Sequence, residues 1–461
     1  MNNQGSNRTS IHPMNENACA TWTPASWRRF PVRQQPDYAD PEAVSRVTHA
    51  LSLKPPLISV GEVDRLHSAL AEAAEGRRFV LQGGDCAECF SDCTELALVS
   101  KLKVLLQMSL VLTYATRKPV VRLGRVAGQY AKPRSQAFED VAGQRLPVYR
   151  GDLINSREAD PALRAADPRR MLDGYHHAAA SLNFIRALIE GGFADLHHPE
   201  QWDLSFIETS PHGKAYQQAV NAIVDSITFM ETIGASNASE ALRRVDFYTS
   251  HEALLLPYEE SLTRPAGNGD HYNLGAHFLW VGYRTADPKG AHVEYLRGLR
   301  NPVGLKLGPA FQEQELLEMI AALDPRREPG HLTLITRFGQ KHVAEHLPRA
   351  IQAARQSGHP VLWSCDPMHG NTEMTENGFK TRRVDAIFAE LEQSFAIHER
   401  MGTCLGGVHF ELSGEPVTEC IGAFGDVTEA DLARCYETAC DPRLNGAQAL
   451  EMAFLIAGLL R

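Results

Sequence analysis

Eight short apolar runs, each ending in polar or charged residues, constrain this chain more than any other feature. They occupy 78–84, 119–128, 245–252, 277–285, 303–308, 332–339, 361–366 and 406–411. A short apolar run bounded by turn residues suits a strand buried on both faces, as in a parallel sheet. The clearest is Val361-Leu362-Trp363-Ser364-Cys365, which breaks at Asp366-Pro367 and then sets His369 before Gly370. Taken singly, such an Asp and His satisfy local backbone groups as readily as they serve chemistry. Recurrence of similar endings along the chain favours chemistry. From residue 277 onward the runs are separated by segments long enough for a helix, such as 312–323, 343–357 and 380–401. Strand and helix alternating eight times predict an α/β chain folded as a (β/α)8 TIM barrel. A doubly wound open sheet is the second choice, but no GxGxxG fingerprint opens a βα unit here.

The 461 residues exceed a plain barrel, and the surplus lies in two places. Residues 1–20 are polar without an apolar core, which reads as a disordered tail rather than a secretory signal. Residues 21–75 carry Trp22, Trp27 and helical patterns at 41–51 and 60–74, an N-terminal extension packed on a barrel spanning 76–461. After the second strand the rhythm stops. Helical patterns at 168–190 and 213–233, around a loop at 197–208, form an insertion at about 160–240. Its length suits a lid, a subunit contact or a regulatory site.

Composition excludes several function classes. A formal net charge of -10 argues against wrapping nucleic acid, so any anionic ligand must be met by a local cluster of cations. No apolar run approaches the ~20 residues that span a bilayer, so neither a membrane nor a nucleic-acid partner is expected. Nine cysteines form neither a dense disulfide framework nor a zinc pattern, since no second pair answers Cys86, Cys89 and Cys93. Reduced thiols in a cytoplasmic enzyme are the expectation.

In a barrel, the carboxyl ends of all strands converge on one mouth. Here they bring Cys86, Arg125, the His251-Glu252 pair, Arg284, Lys306, Arg337, Asp366 with His369, and Glu411; Asp441 follows in the last loop. One set, Cys86, His369, Glu411 and Asp441, offers the mixed S/N/O ligation of a borderline divalent cation with positions left open. Taken singly, each member is better read as a satisfied polar residue in a turn, or for Cys86 as a buried thiol; four together on one mouth are not. The other set is Arg125, Lys132, Arg134, Arg284, Lys306 and Arg337. So many cations in one cavity repel one another unless anions bind, and arginine forks match phosphate and carboxylate geometry. For Lys132 alone, surface salt bridging is the better account; for Lys306 and Arg337, inside apolar strands, it is a poor one. The residues by themselves predict a metal beside a multiply anionic substrate.

The segments LQGGDCAE, GRVAGQYAKPRS, YRGDLIN, SHEALLLPYE, LRNPVGLKLGP, TRFG, WSCDPMHGNT, GGVHFELSGEPVTEC and CDPRLN run in order from about residue 79 to 445. Together they resemble the class II (plant and actinobacterial type) 3-deoxy-D-arabino-heptulosonate 7-phosphate (DAHP) synthases. The resemblance implies a (β/α)8 barrel that condenses phosphoenolpyruvate with erythrose 4-phosphate and water. The products are DAHP and phosphate, the first step of the shikimate pathway, for aromatic amino acids or a secondary metabolite. It implies a divalent metal, Mn2+ or Co2+ foremost, with Fe2+, Zn2+ and Mg2+ behind them. Carried over by position, Cys86, His369, Glu411 and Asp441 match the metal ligands. Arg125, Arg284, Lys306 and Arg337 match the phosphoenolpyruvate site, and Lys132, Arg134 and Ser135 the aldose phosphate site. Lys306, Cys86 and His369 are then the catalytic candidates. Longer members of the class imply a homo-oligomer and aromatic amino-acid inhibition through the helical insertion.

One departure stands out in WVGYRTA. The family usually reads an acid before the arginine and a second arginine after the threonine; here those positions hold Tyr283 and Ala286. A related synthase using an amino or imino aldose phosphate is therefore an alternative. A barrel metallohydrolase would call for a His-dominated metal site, and a catalytically silent relative for loss of ligand positions, none of which is lost.

Overall fold

The computed structural model describes residues 21–141, 143–191, 193, 213–232, 246–267, 269–422 and 427–460. The expected tail at 1–20, the loop at 197–208, and the ends of two expected elements at Ile233 and Val245 lie outside the described residues.

All eight expected strands form, and they close. They are β1 (Phe79–Gly84), β2 (Val120–Arg125), β3 (Phe247–Glu252), β4 (Phe278–Val281), β5 (Val303–Leu307), β6 (Leu332–Thr336), β7 (Val361–Cys365) and β8 (Leu405–Glu411). Each pairs in parallel with its sequence neighbours, and β1 pairs with β8, Val80 opposite Gly407 and Gly84 opposite Glu411. This is a closed (β/α)8 barrel rather than an open sheet.

Successive strand side chains point to opposite faces, so one set of alternate positions fills the barrel. From its amino-terminal end to its middle these are Val80, Val121, Leu123, Tyr248, Phe278, Trp280, Ile335 and Leu362. They form one apolar cluster with Leu66, Ala69, Leu70 and Ala73 of the helix Val60–Ala74. That helix begins at a Ser59/Glu62 capping box, which satisfies backbone groups its first turn would leave unpaired. Gly406 lets it approach, since a Cβ there would lie 2.6 Å from the Ala73 carbonyl oxygen. The helix thus plugs one end of the barrel. Burying a leucine such as Leu66 or Leu70 contributes roughly 1.5–3 kcal/mol.

The helices Glu313–Leu323, Val343–Ser357 and Val384–Met401 follow β5, β6 and β7. Two expectations need correction here. The segment 380–401 is not one helix: Lys380–Arg382 pairs antiparallel with Thr372–Met374, and the helix starts at Val384. Secondly, the helix Glu95–Thr116 is long and apolar enough to cross a membrane by length and composition. Some 67% of its apolar window is buried, and it packs against the C-terminal helix Gly446–Leu459. Its all-round hydrophobicity is that of a core helix. After β2 come a hairpin (Phe138–Val141 with Gln144–Pro147) and the helices Pro161–Arg164, Arg170–Glu190 and Gly213–Thr232, before β3 begins.

Candidate active site at the carboxyl mouth

Two residues beyond the apolar layer, the same inward faces turn polar. Gln82, Ser250 and His409 make a buried chain across the barrel. The His409 Nδ1 proton goes to Gln82 Oε1 (2.7 Å), Gln82 Nε2 donates to Ser250 Oγ (3.0 Å), and that hydroxyl donates to the Gly124 carbonyl (3.1 Å). His409 Nε2 is thereby left as an acceptor, and it receives Arg125 Nη1 at 2.6 Å and Lys306 Nζ at 3.2 Å. Burial and the neighbouring Lys306 charge hold His409 well below the ordinary histidine range, so it stays neutral. Both cations also stand over the Trp280 ring, with Arg125 Cζ 5.3 Å and Lys306 Nζ 5.7 Å from its centroid.

The next layer holds Arg125, Lys306, Asp366 and Glu411, all buried. Asp366 accepts Lys306 Nζ at 2.5 Å and His369 Nδ1 at 2.7 Å, which turns His369 Nε2 toward Glu411 Oε1 at 3.1 Å. A carboxylate behind the imidazole in this way fixes ring orientation and tautomer. The donor atoms of His369, Glu411 and Asp441 lie within 4.8 Å of one another. Cys86 is adjacent to that group rather than within it: its Sγ accepts the Asp441 backbone N–H at 3.2 Å and lies 3.3 Å from Thr438 Oγ1. Against burial, the Cys440 hydrogen bond and the Lys132 charge bring the Cys86 thiol down to about 6. A buried network secures both loops, with Arg443 bridging Asp85 (2.6 Å) and Glu419 (2.7 Å), and Lys101 on Asp85 (2.5 Å).

A buried carboxylate, Glu411, beside the half-buried Asp441 needs positive charge between them. Lys132 Nζ supplies some, at 2.9 Å from Glu411 and 2.6 Å from Asp441, and Arg382 lies 2.9 Å from Glu411. Burial alone would raise both carboxyls, but His369, Lys132 and Arg382 hold Glu411, and Lys132 and Lys380 hold Asp441, well below the carboxylate range. The Arg382 contact is an ion pair between Nη2 and Glu411 Oε2, while His369 Nε2 and Lys132 Nζ share Oε1. A buried carboxylate beside a second carboxylate, an oriented imidazole and a low-pKa thiol is a donor set that fits a borderline divalent cation.

Beside this cluster lies a cavity of ≈150 Å³ whose walls include Arg125, Lys132, Arg284, Lys306, Arg337 and Lys380. Lys132 is buried and ion-paired, so the surface salt bridge expected for it is replaced by an interior one. Arg337 Nη2 donates to the His369 carbonyl (2.8 Å), and its guanidinium stacks on Tyr283, 5.2 Å from the ring centroid. Arg284 Nη2 donates to Ser135 Oγ (2.8 Å). Arg134 and Ser135 are not among the lining residues. Arg134 instead donates to the Tyr149 carbonyl (3.1 Å) and pairs with Glu139 (3.3 Å).

Several contributors escaped sequence reasoning. His409 and Gln82 share strand parity with Glu411 and Gly84, a signal that was there to be used. Lys380 and Arg382 gave none, because their hairpin read as the start of a helix. Glu390 sits mid-helix, yet it accepts the Phe338 and Gly339 N–H groups (2.9 and 2.8 Å) and Asn371 Nδ2 (2.7 Å). It thereby clamps together the loops that carry Arg337 and His369.

Fold and site together define a parallel-barrel protein with a cation-lined cavity beside a carboxylate–imidazole cluster at its carboxyl mouth. The model of the class-II DAHP synthetase family matches residues 22–457, and the chain belongs to that family. The phospho-2-dehydro-3-deoxyheptonate aldolase of Neurospora crassa is 46% identical over 453 residues, covering 95% of this chain and 94% of that one. Its namesake in Streptomyces coelicolor is 45% identical, covering 95% and 97%. Phospho-2-dehydro-3-deoxyheptonate aldolase AroG of Mycolicibacterium smegmatis is 44% identical, covering 94% and 93%.

Proposed function

We propose that this chain condenses phosphoenolpyruvate with erythrose 4-phosphate and water, giving DAHP and phosphate, with a divalent cation held by Cys86, His369, Glu411 and Asp441. One observation carries the reading: the carboxylate–imidazole cluster and the cations share one cavity mouth. Arg125, Arg284, Lys306 and Arg337 receive phosphoenolpyruvate, their charges matching its phosphate and carboxylate. Lys132, with Arg134 and Ser135 beyond the cavity wall, receives the aldose phosphate. When bound, Mn2+ or Co2+ would polarise the aldehyde carbonyl and stabilise charge growing on its oxygen. The cations fix both anions so that the enol carbon faces the aldehyde carbon, which removes most of the orientational cost of the encounter. Burial, reinforced by Arg125 and opposed by Asp366, brings Lys306 down to about 8, where it can exchange a proton near neutral pH.

Phosphate release from phosphoenolpyruvate and erythrose 4-phosphate, with and without chelator, tests the reading. Release that depends on both substrates and stops with chelator supports it; release without phosphoenolpyruvate points to a hydrolase. Tyr283 on the cavity wall supports a second reading for the second substrate alone, an amino or imino aldose phosphate. Comparing kcat/KM for the two aldoses decides between them. The same family reading carries a cytoplasmic homo-oligomer with the 160–240 insertion as contact and aromatic amino acids as inhibitors. Light scattering of an insertion-deleted chain, and inhibition assays, test these.

A further inference from the structure

Among the described residues lining the cavity there are two acids, Asp441 and Glu252. Asp441 belongs to the metal-binding group. Glu252 has no task in the mechanism above, yet its placement is unusual. It ends β3 on the inward face, above Tyr248 and Ser250, with only 9% of its surface exposed. Its Oε1 has no hydrogen-bond partner. The backbone is fixed where the side chain departs, since the Glu252 N–H donates to Gln129 Oε1 at 3.0 Å. Space for the carboxyl is made by Gly282, where a Cβ would lie 2.0 Å from Oε1. A buried carboxyl oxygen without a hydrogen-bond partner is costly, and this one is seated rather than squeezed out.

Its surroundings define what it can do. The charged groups that act on it are Lys306 on β5, Lys132 and Arg125 from β2 and its loop, and Arg284 after β4, all cations. Burial nevertheless outweighs them and raises the carboxyl above the usual carboxylate range. A multiply anionic substrate would cancel those cations and leave burial to act alone. A carboxyl so placed can hold a proton facing the bound anion, a donor in a cavity whose other charged lining groups are chiefly cations.

We propose that Glu252 is the general acid that expels phosphate, a role that rests on the synthase reading above. After the new carbon–carbon bond forms, water adds to C2; one of its protons goes to the former aldehyde oxygen and its hydroxyl stays on C2. Glu252 then gives its proton to the bridging ester oxygen as the C2–O bond to phosphate breaks. It recovers a proton from the C2 hydroxyl, which becomes the ketone carbonyl, so the enzyme ends as it began.

Glu252→Gln keeps the shape and removes the transferable proton. Assayed as the Mn2+-loaded enzyme, it should lose ~100-fold or more in kcat, the range of general-acid effects, while KM for phosphoenolpyruvate moves by less than about threefold. In a rapid base quench followed by mass spectrometry, the variant should accumulate a species with the summed mass of both substrates and one water. Gly282→Ala, which displaces the carboxyl without changing it, should reproduce both effects, with circular dichroism reporting the fold. A kcat within about threefold of wild type overturns the proposal. So does a loss residing in KM, or a loss of kcat with no accumulating species. If wild-type enzyme consumes no phosphoenolpyruvate with the aldose phosphate, the synthase reading itself falls and takes this role with it. If wild type turns over and Glu252→Gln matches it, only the role of Glu252 falls.

Discussion

At the amino-terminal end of the barrel, Val80, Leu123, Tyr248 and Leu362 meet Leu66 and Leu70 in a dry apolar layer. Two to four residues along the same strands, on the same inward faces, stand Gln82, Arg125, Glu252 and Asp366, every one buried. The strands are shared; the chemistry is opposite. Buried charges and unpaired polar atoms are costly, and a fold carries them where rigid elements hold them at strand ends. The apolar end supplies burial without direction, whereas the polar end supplies direction and fixed charge. Stability should therefore be concentrated at one mouth and function at the other, and substitutions at the two ends should separate them.

The largest effect is expected from His369→Ala at the polar mouth. It removes an oriented donor from the three-residue group, and the several kcal/mol that a Lewis acid contributes correspond to a loss of ~10³-fold in kcat. Metal content by plasma spectrometry should fall with it, while the thermal midpoint stays near wild type. Wild-type turnover and metal content together would remove the assigned site. Leu70→Ala should do the converse at the plug. It should cost ~2–5 kcal/mol of stability in urea unfolding, with kcat per folded molecule unchanged. A variant equally stable but inactive would dissolve the distinction between the two ends.

Within the polar mouth, Arg337→Ala should chiefly raise KM for phosphoenolpyruvate, and Arg134→Ala that for the aldose phosphate. Each charge-assisted contact is worth ~1.5–3 kcal/mol. Because Arg134 pairs with Glu139 and lies off the cavity lining, equal losses for both substrates in both variants would show that these arginines do not divide them.

The smallest effect is one of pH. Lys306 is lowered to about 8 by burial, so it is charged below that pH and neutral above it. Affinity for an anionic substrate should decline on the alkaline side, and kcat/KM for phosphoenolpyruvate should bend near pH 8, a bend that Lys306→Arg abolishes. The sign for stability is the reverse. Between about 8 and the higher unfolded lysine value the unfolded chain binds more protons, so the contribution of this group to stability rises with pH. A pH profile unchanged in Lys306→Arg would contradict the assignment.

Much of this was legible in the sequence because the carboxyl ends of all barrel strands converge on one mouth, so the polar residues that end the apolar runs gather there. Arg125, Lys306 and Glu411 were found in that way. Period-two alternation along the same strands would also have pointed to Gln82 and His409, two residues before Gly84 and Glu411. Lys380 and Arg382 were not legible, since a three-residue strand joined by a turn to its partner has too little periodicity to distinguish it from a helix start. The contact of Glu390 with Phe338, Gly339 and Asn371 was equally hidden. It depends on how the helix Val384–Met401 packs over two loops, which local pattern does not specify.

The central claim is that the carboxyl mouth, and not the opposite end, holds both the cation and the anionic substrate. The most direct test is a crystal grown with Mn2+ and phosphoenolpyruvate, with anomalous scattering measured at the manganese edge. The account predicts one anomalous peak ligated by Cys86 Sγ, His369 Nε2 and carboxylate oxygens of Glu411 and Asp441, with the phosphoenolpyruvate oxygens on Arg125, Lys306 and Arg337. It would be contradicted by an ion bound away from those four residues. Phosphoenolpyruvate seated in the ≈640 Å³ cleft at the amino-terminal end, against Arg65, Arg186 and His277, would contradict it equally.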